Sequence, residues 1–162
     1  MVKPQPPPVS LLDKHFGTEF LPLYTGTVRV NGGEAKHGRA SGVARSEDGM
    51  LDVQLRMPAE LGGSGGGTNP EQLFAAGWSA CFLGAIGAVA SKLKVALPAE
   101  RTVDAEVDLV MEGEQYGRRA RLNVSLPGLP RDTAQAVADA AHQICPYSKA
   151  TRGNIDVTIT IA

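Results

Sequence analysis

The sequence predicts an α+β domain with antiparallel sheets around a long, central buried helix. Three observations predict this class: an uncharged stretch over residues 73–91, several runs of alternating apolar and polar residues, and the order of these segments along the chain. Consecutive strands precede each helix, in the order βββ-α-ββ-α-β, which is typical of α+β folds rather than of doubly wound parallel sheets. With 162 residues, the chain is long enough to bury a core of its own.

The first part of the chain predicts an extension followed by a three-stranded meander. Residues 1–20 are Pro-rich, which favours polyproline II and disfavours a central strand. A single domain is predicted over residues 21–162. Its first strands are predicted at residues 24–30, 38–46 and 50–57, and the third alternates cleanly, with Leu51, Val53, Leu55 and Met57 on one face.

A glycine-rich loop over residues 58–67 leads into the long helix. Such a loop invites comparison with a phosphate-binding loop, but the required lysine is absent and the glycine spacing does not match a dinucleotide-binding fingerprint. We therefore predict a flexible connection or a close approach of backbone.

The long helix has a clear start signal. Thr68 or Asn69 can cap it, Pro70 suits its first turn, and Thr68 with Glu71 fits a capping box. The uncharged stretch is at the lower limit for a bilayer span but consists mostly of Ala and Gly, which bury little apolar area. Small residues recur at helical spacings and permit close helix packing. We predict a fully buried core helix, at a subunit interface, and no membrane span.

The second half of the chain repeats the pattern of strands followed by a helix. Alternation predicts strands at residues 102–111 and 119–126, with Met111 on the buried face of the first. A helix is predicted over residues 131–144, with Ile144 on its apolar face, and Cys145-Pro146 ends it. A last strand covers residues 155–161.

Composition narrows the classes of function. The formal net charge is −1 and aromatic residues make up 5%, so neither nucleic acid nor an acidic substrate is indicated. The N-terminus lacks the apolar segment of a signal peptide, and we expect a cytoplasmic protein. In a reducing compartment, two cysteines are more often catalytic, redox-active or inert than a structural disulfide.

Cys81 and Cys145 are the residues that suggest a mechanism. They can form a dithiol–disulfide couple if the fold brings them together; otherwise they are two inert buried thiols, the reading that composition alone favours. His142 precedes Cys145 by three residues on a helix, but a metal site would need a further ligand, so we expect no metal. Trp78 is predicted to be core or site wall, and Arg152 a surface charge or dimer contact.

Two long motifs resemble those of the organic hydroperoxide resistance proteins of the OsmC/Ohr superfamily. Residues 68–82, TNPEQLFAAGWSACF, are similar to the family's first cysteine motif, and residues 145–154, CPYSKATRGN, to its second. The segments Gly38-Arg39-Ala40 and Leu61-Gly62-Gly63 also match. The resemblance covers about residues 22–162. The Pro-rich start is longer than usual for the family, and Lys149 stands where a smaller polar residue is expected.

The resemblance implies a thiol peroxidase that reduces organic hydroperoxides and works as an intertwined homodimer. It implies that Cys81 is the peroxidatic cysteine, that Cys145 resolves it, and that Arg39 and Glu71 activate the thiolate. It also implies no cofactor, with dihydrolipoamide on lipoylated proteins as the reductant. The alternative is a non-enzymatic redox sensor or small-ligand carrier that uses the same cysteine pair.

The spacing of Glu71 and Cys81 creates a geometric conflict. They are ten residues apart, which is about 15 Å along a straight helix. Either the helix breaks near Gly77 or the site takes residues from two subunits. We predict the break, with Ser79 capping a second helix whose dipole lowers the pKa of Cys81 in its first turn.

Overall fold

The computed structural model describes residues 22–36 and 38–162, which divide into two compact units. The first unit ends at Thr68 and the second covers Asn69–Ala162. The predicted Pro-rich extension over residues 1–20 lies outside the described residues. The single domain over residues 21–162 stays a prediction.

The first unit contains a three-stranded antiparallel sheet. Its strands are β1 (Val28–Val30), β2 (Val43–Ser46) and β3 (Asp52–Gln54), in the order β1-β2-β3. The predicted strand over residues 38–46 is wrong in its first half, because Gly38–Ser41 forms the short helix α1. None of these four residues is β-branched, whereas the strand starts at the β-branched Val43.

The third strand shows the alternation that the sequence predicts. Leu51 and Val53 are half-buried and Leu55 is buried, while Met50, Asp52 and Gln54 are exposed. The chain then makes a 3-10 turn at Ala59–Leu61, and the glycine-rich loop follows. Gly62, Gly65 and Gly66 have positive φ angles of 80°, 63° and 77°, so glycine serves as a turn former in this loop.

The second unit is organised around helix α2 (Pro70–Leu93). Asn69 is its N-cap, and its side chain accepts a hydrogen bond from the Gln72 backbone N–H at 2.9 Å. The helix runs for 24 residues without interruption, so the predicted break near Gly77 is wrong. One internal glycine costs about 1 kcal/mol in a helix, too little to break a long helix that also packs in a core.

Helix α2 is confirmed as the central helix, but its burial follows one face. The buried residues are Trp78, Phe82, Ala85, Ile86, Val89 and Ala90. The helix is long and apolar enough to cross a membrane by length and composition alone. All of these side chains except Ala90 instead join the hydrophobic core of the second unit, as expected for a core helix. Burial on all sides, as predicted, is not seen in the single chain.

The sheet of the second unit has the order β4-β5-β6. Strands β4 (Thr102–Glu112) and β5 (Gln115–Ser125) form a long antiparallel hairpin. The chain then forms α3 (Arg131–Ile144) and α4 (Pro146–Thr151) and returns as β6 (Asp156–Ile161). This crossover makes β6 parallel to β5, unlike the predicted antiparallel arrangement. The elements follow one another as β1-α1-β2-β3-α2-β4-β5-α3-α4-β6, so α1 and α4 are additions to the predicted order.

The core of the second unit lies between its sheet and helices α2 and α3. The alternation in β5 buries Ala120, Leu122 and Val124. In α3, Ala134, Val137 and Ala141 are buried, but Ile144 is 48% exposed at the helix end. Met111 is 59% exposed beside the hairpin turn. These two predicted core positions are wrong because each lies at the end of its element.

Candidate active site

The two cysteines lie side by side in the second unit. The Cys145 Sγ lies 3.5 Å from the Cys81 Sγ, although 64 residues separate them in sequence, and both thiols are free. A disulfide requires about 2.05 Å between sulfurs, so the pair could close by an approach of roughly 1.5 Å. Cys81 is half-buried, whereas Cys145 is fully buried. Of the two thiols, Cys81 is therefore the one that a small molecule can reach first.

Pro146 fixes the position of Cys145. A residue before proline is disfavoured in helical conformation, and Cys145 adopts φ −59° and ψ 123° between α3 and α4. Its backbone N–H donates to the Ala141 carbonyl at 2.8 Å, and its carbonyl accepts from the Lys149 N–H at 2.9 Å. Both neighbouring helices therefore hold the backbone of Cys145, so the thiol is presented by a rigid corner.

The groups around Cys81 have opposite effects on the pKa of its thiol. Burial raises the pKa of the Cys81 thiol, and the Cys145 thiol adds to this increase. A backbone hydrogen bond from Tyr147 acts in the opposite direction and lowers the pKa. Because α2 is unbroken, Cys81 lies within the helix and not in its first turn. The predicted help from a helix dipole is therefore wrong, and burial dominates.

Three aromatic side chains pack in the same hydrophobic core as the two cysteines. The rings of Phe74 and Trp78 meet edge to face with centroids 5.6 Å apart, and Phe74 meets Tyr147 at 5.7 Å. The Trp78 Nε1 donates to the Ser148 Oγ at 3.2 Å, and both side chains are fully buried. Trp78 is thus confirmed as a core residue, and its hydrogen bond joins α2 to α4.

Gly77 leaves room for Tyr147. A Cβ atom at Gly77 would lie 2.5 Å from the Tyr147 Oη and 3.1 Å from its Cζ. The Tyr147 ring therefore lies against the α2 backbone one helical turn before Cys81, while its own backbone faces the Cys81 sulfur. Glycine is required here for close approach rather than to interrupt the helix.

Glu71 lies in the first turn of α2 and forms an ion pair that the sequence did not indicate. The Arg118 Nη2 lies 3.3 Å from the Glu71 Oε1, and the Glu71 side chain is only 13% exposed. The ten residues of unbroken helix between Glu71 and Cys81 correspond to about 15 Å. Arg39 lies in α1 of the first unit. Its pairing with Glu71 stays a prediction.

His142, in the last turn of α3, is in contact with Arg152. The Arg152 Nη2 donates to the His142 carbonyl at 2.8 Å, and the His142 ring lies 6.5 Å from the ring of Phe82. Burial, assisted by the Arg152 cation, lowers the pKa of His142. Within residues 22–36 and 38–162, no three His, Cys, Asp or Glu side chains come together as a metal-binding group.

Sequence reasoning missed the roles of Tyr147, Ser148 and Arg118. Tyr147 is the first residue after Pro146 that has a backbone N–H to donate. The role of Arg118 was not predicted because the predicted strand began at residue 119. Extending its alternation by one residue would have placed a charge on the core-facing side, which signals a buried counter-charge.

Comparisons with known proteins show the family to which the chain belongs. The family model of OsmC-like proteins matches residues 63–160. An organic hydroperoxide resistance protein of Xanthomonas axonopodis pv. citri (strain 306) is 49% identical over 141 residues, which cover 86% of this chain and 95% of that relative. The chain belongs to the OsmC/Ohr family of organic hydroperoxide resistance proteins.

Solved structures of OsmC/Ohr proteins share the fold. The crystal structure of an organic hydroperoxide resistance protein from Legionella pneumophila aligns with a TM-score of 0.79 at 40% identity, covering 88% of this chain and 99% of that one. That of OhrB from Bacillus subtilis aligns with a TM-score of 0.75 at 41% identity, covering 87% and 100%. The resemblance stated from the two cysteine motifs is thereby confirmed at the level of family and fold.

Proposed function

We propose that this OsmC/Ohr protein is a thiol peroxidase that reduces organic hydroperoxides to alcohols. The observation that carries the proposal is the 3.5 Å separation of the Cys81 and Cys145 sulfurs. Relatives of this chain carry the name organic hydroperoxide resistance protein, which supports the substrate class. Cys81 packs against a core of apolar and aromatic side chains, which suits an alkyl or lipid peroxide better than hydrogen peroxide.

Cys81 acts as the peroxidatic cysteine in this proposal. Its thiolate attacks the terminal oxygen of the hydroperoxide, and the O–O bond breaks. The alkoxide leaves and takes up a proton to become the alcohol. Cys81 is thereby oxidised to a sulfenic acid. The greater exposure of Cys81 supports this assignment, because the attacking thiol must meet the substrate.

Cys145 acts as the resolving cysteine. Its thiol displaces the hydroxyl of the Cys81 sulfenic acid, which forms the Cys81–Cys145 disulfide and releases water. A buried thiol already near van der Waals contact with Cys81 can intercept the sulfenic acid before a second peroxide oxidises it further. A dithiol then restores both thiols by two exchange steps and leaves as its own disulfide.

Arg39 is proposed to activate Cys81, with Glu71 as its holder. Burial raises the pKa of the Cys81 thiol, so a thiolate at neutral pH needs a nearby cation. A guanidinium can supply this charge and can stabilise the departing alkoxide. Glu71 carries the wrong charge to activate a thiolate, and its proposed role is to orient Arg39 through a bidentate ion pair.

The unbroken helix α2 separates Glu71 from Cys81 of the same chain by about 15 Å. We therefore propose that the site takes residues from both subunits of an intertwined homodimer.

The proposed reductant is dihydrolipoamide, free or on a lipoylated protein of the cytoplasm. Steady-state reduction of cumene hydroperoxide by the wild-type protein, with dihydrolipoamide as electron donor, tests the proposal. We expect multiple turnovers with dihydrolipoamide, slower turnover with hydrogen peroxide, and none in Cys81→Ser. A single oxidation without turnover would instead support the redox-sensor alternative.

A further inference from the structure

Arg118 is a charged residue on the core-facing side of β5. In a strand, alternate side chains share a face, so Arg118 lies on the same face as Ala120 and Leu122, which are buried. Its neighbour Arg119 lies on the opposite face and pairs with Asp108 at 2.9 Å. The strand thus carries two consecutive arginines with different surroundings.

The partner of Arg118 on the core-facing side is Glu71. The Arg118 Nη2 lies 3.3 Å from the Glu71 Oε1, and their side chains are 29% and 13% exposed. A carboxylate largely removed from water is costly unless a cation or hydrogen-bond donors compensate its charge. Arg118 provides this compensation from the neighbouring strand, within the same compact unit.

The backbone around Glu71 is already fixed by the helix start. Asn69 caps α2, and Pro70 occupies its first position. The ion pair with Arg118 restrains the Glu71 side chain as well, because it limits the rotamers that this side chain can adopt. A carboxylate has two oxygens and can accept hydrogen bonds from two guanidinium groups at once.

We propose that Arg118 is a positioning residue that holds the Glu71 carboxylate in place for Arg39. This inference rests on the proposed function, in which Glu71 orients Arg39. Because Arg118 already orders the Glu71 side chain, less conformational entropy is lost when Arg39 binds to it. Arg118 touches neither sulfur in this scheme and acts on Cys81 only through Glu71 and Arg39.

Arg118→Ala and Arg119→Ala make a matched pair for the test. Each variant removes one arginine from β5, together with its ion pair, but on opposite faces of the strand. The measurement is the second-order rate of Cys81–Cys145 disulfide formation with limiting cumene hydroperoxide, followed by mass spectrometry. We expect a loss on the order of tenfold in Arg118→Ala and a wild-type rate in Arg119→Ala.

Two further variants separate positioning from a general effect on folding. Arg118→Lys keeps a cation able to make the single N–O contact, and it should recover most of the rate even if Arg118→Ala folds poorly. In a Glu71→Gln background, Arg118→Ala should cause no additional loss, because the group through which it acts is already altered. A further tenfold loss in that background would overturn the inference.

The outcomes distinguish this inference from the proposed function. If the wild-type protein forms no disulfide with the hydroperoxide, the proposed function fails and the role of Arg118 fails with it. If the wild-type protein forms the disulfide and Arg118→Ala forms it as fast as Arg119→Ala, the Arg118 inference alone is overturned.

Discussion

Replacing Gly77 with alanine tests whether the Tyr147 ring packs against the α2 backbone one helical turn before Cys81. The added Cβ would lie 2.5 Å from the Tyr147 Oη, 3.1 Å from Cζ and 3.6 Å from Cε1. The first distance is too short for non-bonded atoms, so the tyrosine ring must move. Its freedom is limited, because the ring also packs edge to face against Phe74 at 5.7 Å.

Two opposing contributions set the size of the effect. Alanine in place of a helical glycine stabilises a protein by about 0.5–1 kcal/mol. Overpacking of an ordered site costs about 1–3 kcal/mol. The net expectation is a destabilisation of about 1 kcal/mol, which for a chain of this size lowers the Tm by roughly 2–4 °C. Thermal unfolding followed by circular dichroism measures this directly.

Tyr147→Phe provides the matched control for Gly77→Ala. Without the Oη, the nearest ring atom to the added Cβ is Cζ at 3.1 Å, which a small shift relieves. Gly77→Ala should therefore cost less in the Tyr147→Phe protein than in the wild type, a coupling that a double-mutant cycle reveals. Equal stabilisation by Gly77→Ala in both backgrounds would refute the reasoning, because it would mean that Tyr147 does not occupy this position.

Three further variants test other contacts. Ser148→Ala leaves the buried indole N–H without its acceptor and should cost about 1–3 kcal/mol in urea denaturation; an unchanged midpoint would contradict this. Arg39→Ala should leave burial in control of the pKa of Cys81, so that roughly tenfold less thiolate forms at neutral pH, measured by ultraviolet titration; an identical titration would remove Arg39 from the site. Arg121 and Arg119 hold the pKa of the half-buried Asp108 carboxyl well below its ordinary value. Asp108→Asn should therefore cost at most about 1 kcal/mol above pH 5. This difference should begin to shrink as the pH falls below about 4 and should disappear only at the lower pH at which the folded carboxyl is itself protonated.

The regular parts of the fold could be predicted from sequence because their signals are periodic. The alternation in β4 and β5 and the apolar spacing of α3 located these elements within a few residues. Helix α1 was missed because four residues are too few to show a period. The predicted break at Gly77 was wrong for a different reason: the residue that requires this glycine is Tyr147, seventy positions later in the chain.

The sequence motifs pointed to the cysteine pair but could not give its geometry. The motifs identified Cys81 and Cys145, and the fold brings their sulfurs to 3.5 Å. No local pattern gives such a distance, because it depends on how α2 packs against the corner between α3 and α4. Arg118 was missed for the same reason, since its partner Glu71 lies on another element.

The most direct test of the account is the intact mass of the reduced protein after one equivalent of cumene hydroperoxide. The account predicts the loss of two hydrogen atoms in the wild type, as Cys81 and Cys145 form a disulfide. It predicts no disulfide in Cys81→Ser and addition of one or more oxygen atoms in Cys145→Ser. A wild-type protein whose two thiols both remain reduced under these conditions would contradict the central claim.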